Sequence, residues 1–86
     1  MSIKSMNPAT GQVLREYEVL GDADLETILE RAVSTQRDLA ERSVDRRAEW
    51  LLRAADGLRA RREELARLMT AEMGKTFTSA LAEVDK

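Results

Sequence analysis

The chain has no cysteine and no histidine among its 86 residues, and these two absences remove much familiar chemistry at once. Without a thiol there is no cysteine nucleophile, no disulfide and no thiolate metal site; without an imidazole there is no histidine acid, base or zinc ligand. Aromatics are nearly absent too, with only Tyr17, Trp50 and Phe77, while 12 alanines and 11 leucines supply most of the apolar side chains. Such a composition predicts a thin core, and the burial open to so short a chain does little to offset conformational entropy. Neither charge sign dominates: 14 basic residues stand against 16 acidic ones, a net charge of −2, so no global field collects nucleic acid or anionic lipid. No apolar run approaches the roughly 20 residues of a membrane helix, and the opening residues lack the apolar segment of a signal peptide. The expectation is a soluble cytoplasmic chain with no nucleic-acid or membrane partner.

The single proline, Pro8, and one of four glycines, Gly11, bracket the first turn. Ile3 to Met6 reads as a strand, Asn7-Pro8-Ala9-Thr10-Gly11 as a turn, and Gln12 to Leu20 as a returning strand with mixed faces. An isolated hairpin is barely stable in water, so it is expected to lie on another element. Asp22 or Asp24 then caps a helix to about Gln36–Ala40, with Leu25, Ile28, Leu29, Ala32 and Val33 as its apolar stripe. Ser43 caps a second helix, whose Val44, Ala48, Leu51, Leu52, Ala55 and Leu58 are expected to be its buried face. Gly57 is read as a possible bend, the stripe resumes through Leu65, Leu68, Met69 and Met73, and Gly74 ends it. From Thr76 to Lys86, Phe77, Ala80, Leu81 and Val84 return at helical spacing. The fold class is mostly α with a short N-terminal β-hairpin, α+β for the chain alone.

Four clusters invite a functional reading, and each has a plainer one. Gly74-Lys75-Thr76 resembles the end of a phosphate-binding loop, but Met69 stands where that pattern needs glycine and a helix leads in, so a helix C-cap explains it. Asp22, Asp24 and Glu26 are spaced as a calcium loop begins, yet Thr27 occupies the position of the required glycine. Glu63 and Glu64 lie among arginines and read as a solvated ion-pair face. Arg46, Arg47, Arg53, Arg59, Arg61, Arg62 and Arg67 are interleaved with Asp45, Glu49, Asp56, Glu63 and Glu64, which cancels a nucleic-acid stripe beyond a Debye length. Trp50 lies off its helix's stripe and has two readings: it packs under the hairpin or a neighbouring helix, or on protein outside these residues.

Ile3-Lys4-Ser5-Met6-Asn7-Pro8-Ala9-Thr10-Gly11-Gln12-Val13-Leu14 is similar to the opening hairpin of NAD(P)-dependent aldehyde dehydrogenases. Glu72-Met73-Gly74-Lys75, reached through Arg-Arg-Glu-Glu-Leu-Ala, resembles that family's Glu-Met-Gly-Lys box, and the wording is most like succinate-semialdehyde dehydrogenase-type members. Where many members carry proline after the lysine, this chain has Thr76. The resemblance covers the whole length and implies that residues 1–86 are an incomplete N-terminal part of the cofactor domain, with a hairpin at 1–20 and helices at 22–86. These would form an outer layer of a larger α/β Rossmann-like fold. It implies chemistry by a cysteine thiolate, hydride transfer to nicotinamide and a glutamate that activates water. No residue here matches those motifs. The resemblance therefore implies no catalytic, cofactor-binding or metal residue in this chain, no cofactor for it alone, and NAD or NADP for the family. Asn7, Pro8, Gly11, Gly74 and Lys75 match in turn and cap roles. The expected product is an inactive truncated piece or one part of a split enzyme, partnered by the remainder or by itself; the alternative is a free-standing helical interaction module.

Overall fold

A computed structural model describes residues 2–86 as a two-stranded hairpin followed by four helices. Strands β1 (Ser2–Met6) and β2 (Val13–Glu18) pair antiparallel, with Ile3 opposite Tyr17 and a register shift between Ser5 and Met6. The second strand is shorter than Gln12 to Leu20, because the turn consumes Gln12. The Asn7 backbone N–H donates to the Gln12 carbonyl at 2.9 Å, and Gly11 N–H donates to the Asn7 carbonyl at 2.8 Å. Asn7 Oδ1 also accepts from Ala9 N–H at 2.9 Å, a side-chain-made turn that explains asparagine ahead of Pro8. Gly11 leaves the turn with φ of 74°, a conformation that disfavours any side chain.

Helix α1 spans Asp22–Ala40, α2 Val44–Ala60, α3 Arg62–Met73 and α4 Phe77–Asp85. The expected cap of α1 by Asp22 or Asp24 is not formed. Gly21 is the N-cap with no side-chain bond, and both aspartates lie inside the first turn, where they favour the helix dipole instead. Ser43 does cap α2, its Oγ accepting from Arg46 N–H at 3.1 Å. Gly57 does not interrupt α2; the break falls at Arg61, with φ −106° and ψ 19°. The neighbouring arginines anchor that break: Arg61 forks onto Glu64 at 3.0 and 2.6 Å, and Arg62 onto Asp85 at 2.6 and 2.7 Å. Thr76, expected inside the last helix, is its N-cap and accepts from Ser79 N–H at 3.2 Å.

Packing is concentrated at one end. α3 and α4 pack on each other, with Ala66 and Ala80 fully buried at their crossing and Leu65, Met69, Phe77, Leu81 and Val84 half-buried around them. Leu68 and Met73, placed on the same stripe by periodicity, are exposed. The hairpin rests on α3 through β1, as an isolated hairpin requires. Every residue of α1 is exposed, and in α2 only Ala55 is partly shielded. The expected buried face of α2 is thus a correction: Leu51 is 73% exposed and Leu52 67%, because no element among the described residues lies over them. The result is a plate of 47 × 35 × 14 Å with a radius of gyration of 17.4 Å, against roughly 12 Å for a compact domain of this length.

Candidate functional site

The two sequence tags, Ile3–Leu14 and Glu72–Lys75, meet in space. β1 ends in the Asn7–Gly11 turn, and α3 ends at Gly74, whose N–H donates to the Thr70 carbonyl at 3.0 Å while its own φ turns to 72°. That left-handed cap brings its Cα against the turn: a Cβ added to Gly74 would lie 3.3 Å from Pro8 Cγ. Two residues earlier on α3, Glu72 Oε1 accepts a short hydrogen bond from Ser5 Oγ on β1. Beyond the cap, Lys75 reaches Glu83 on α4 at 3.3 Å, and Arg67 stacks over Phe77 with its guanidinium carbon 5.0 Å from the ring centre. A shallow cleft of about 470 Å³, lined by Asn7, Ala9, Arg67, Thr70 and Phe77, lies between the turn and the two helices.

The electrostatics of this junction favour fixed charge over proton transfer. The hydrogen bond from Lys75 holds the Glu83 carboxyl below its ordinary range, aided by the charges of Lys75 and Lys86. The bond from Arg62 does the same for Asp85, and Arg61 for Glu64. The Arg61 and Arg62 guanidiniums are raised in turn by Glu64 and Asp85. A carboxylate whose proton affinity is lowered this way is a poor base near neutrality. The geometry describes a joint that fixes a hairpin on a helix pair.

Each residue singled out in the sequence has a definite place. Gly74, Lys75 and Thr76 are respectively a helix C-cap, an ion-pair partner of Glu83 and a helix N-cap. Asp22, Asp24 and Glu26 lie within helical turns of α1, a backbone that cannot wrap a cation as a calcium loop does. Among the described residues, no group of three or more metal-ligating side chains converges. Several arginines pair locally, Arg46 with Glu49 at 3.0 Å and Arg59 with Asp56 at 3.3 Å. Glu64 joins Arg61. Trp50 sits in the elbow between α1 and α2 beside Leu39, Arg47 and Leu51, with the Arg46 guanidinium carbon 5.7 Å from its ring centre, and remains 36% exposed. Leu39 of α1 lines the same notch, and both side chains stay exposed.

Sequence reasoning missed the contacts that make the joint. Ser5–Glu72 and Arg62–Asp85 join distant positions, and Lys75–Glu83 is eight residues apart, outside the three- and four-residue spacing that marks helical neighbours. Only the place of Glu72 and Lys75 within one short tag signalled that they had a role.

Comparison with known proteins supplies the remaining identification. Residues 1–86 match the aldehyde dehydrogenase family. The chain is 45% identical over 82 residues to succinate semialdehyde dehydrogenase [NAD(P)+] Sad of Escherichia coli, covering 95% of this chain and 18% of that protein. It is 40% identical over 86 residues to a probable succinate-semialdehyde dehydrogenase [NADP(+)] of Synechocystis, covering 100% of this chain and 19% of the relative. A solved structure described as giving insights into cofactor and substrate selection by Gox0499 superposes with a TM-score of 0.91 at 36% identity, over 99% of this chain and 19% of that one. The chain therefore spans about a fifth of the length of the relatives it matches. With full-length family coverage and a shared fold, this chain belongs to the aldehyde dehydrogenase family.

Proposed function

We propose that the chain serves as an outer structural layer of the cofactor domain of a cytoplasmic NAD(P)-dependent aldehyde dehydrogenase that oxidises succinate semialdehyde to the carboxylate, and that it has no dehydrogenase activity alone. The observation that carries this reading is the uncovered apolar surface of α1 and α2 in a chain that covers a fifth of its relatives' length. Helices whose apolar stripes find no cover within the chain are built to lie on something else. The relatives' names support the substrate and the nicotinamide cofactor.

The residues present do not fit a nicotinamide dinucleotide by themselves. The one phosphate-loop-like stretch has its Lys75 ammonium paired with Glu83 and its Thr76 hydroxyl occupied as a cap. No step of the oxidation is assigned to this chain, which holds no cysteine to form a covalent adduct with an aldehyde. Its contribution is positional: the Pro8–Gly74 contact and the Ser5–Glu72 bond fix the hairpin against α3, and Arg62–Asp85 fixes α3 against α4.

The test mixes purified chain with NAD or NADP and succinate semialdehyde and follows nicotinamide reduction. No reduction is expected from the chain alone, and recovery of activity is expected when it is added to a relative's polypeptide lacking the matching fifth. Turnover by the chain alone overturns the reading, as does failure to bind that polypeptide. The second reading, a free-standing helical interaction module, is favoured by the exposure of Trp50 and predicts tight capture of an unrelated protein instead.

A further inference from the structure

We draw no further inference here: the strongest candidate, the shallow cleft between the Asn7–Gly11 turn and helices α3 and α4 where Arg67 stacks over Phe77, holds no buried polar side chain among the described residues, and nothing in the structure shows what covers it.

Discussion

Helices α3 and α4 are packed and helices α1 and α2 are bare, although all four carry apolar residues at helical spacing. The packed pair meets through its smallest side chains: Ala66 and Ala80 are fully buried, and their size lets the two helices approach closely enough to shield Leu65, Met69, Leu81 and Val84. The bare pair carries the larger stripe, Leu25, Ile28, Leu29 and Val33 on α1 and Leu51, Leu52 and Leu58 on α2, and covers almost none of it. Amphipathicity is a property of one helix; burial is a property of two. A periodic stripe records that a helix is meant to be covered without recording by what.

The connections between elements differ in the same way. The packed end is tied by contacts between distant residues: Ser5 to Glu72, Pro8 against Gly74, Arg62 to Asp85 and Lys75 to Glu83. The polar bonds of the α1–α2 end are local, such as Arg42 to Asp38 and Arg46 to Glu49, within one helical turn. Local pairs support the helix they sit on and hold nothing else in place. The packed end is therefore the part that keeps its tertiary arrangement in the free chain, and the α1–α2 end is the part whose arrangement depends on a second surface.

The largest expected effect comes from Gly74→Val. Its φ of 72° disfavours a side chain, and the new Cβ lies against Pro8. A loss of about 2 kcal/mol is expected from the left-handed conformation, more if the hairpin detaches. Thermal unfolding followed by circular dichroism measures it, and an unchanged melting temperature would break the distinction between the two ends. A paired exchange then sharpens it. Thr76→Ala and Ser43→Ala remove the same capping bond, each worth about 1 kcal/mol. Thr76→Ala is expected to increase amide exchange across both α3 and α4, because these helices stabilise each other. Ser43→Ala is expected to increase it only in the first turns of α2. Equal spread from both sites would show that the ends are not separate.

The smallest effect is electrostatic. Glu83 and Asp85 are depressed by Lys75 and Arg62, so their ion pairs contribute stability above the ordinary carboxylate range and lose it as pH falls through the lowered values. The packed end is expected to keep a constant melting temperature from pH 7 to about 5 and to decline below about 4. Asp85→Asn is expected to flatten that decline. All these groups are solvent-accessible, so added salt shrinks the difference.

Much of the local structure is legible in the chain. The Asn7-to-Gly11 turn follows from asparagine, proline and glycine at the positions their backbone preferences require, and Ser43 and Gly74 mark real helix ends. Errors arose where an equally good local solution existed. Asp22 and Asp24 are as able to favour a helix dipole from inside as to cap it from outside, and a single glycine costs a helix only about 1 kcal/mol, so α2 runs through Gly57 to Ala60. The break at Arg61 carries no glycine or proline to mark it, and of its two ion pairs the one that ties it to another element, Arg62–Asp85, spans 23 residues.

By itself the sequence determined the element types, the turn, the caps at Ser43 and Gly74 and the absence of thiol and imidazole chemistry, because each depends on one residue's backbone preference or side-chain chemistry. It also carried the two tags whose order marks the family. Only the tertiary structure decided that those tags touch, that two alanines rather than eleven leucines are fully buried, and that α1 and α2 are left open. The physical reason is that closeness in space and cover from water depend on which surfaces meet, and a stripe of leucines reads the same whether or not its partner surface belongs to the chain.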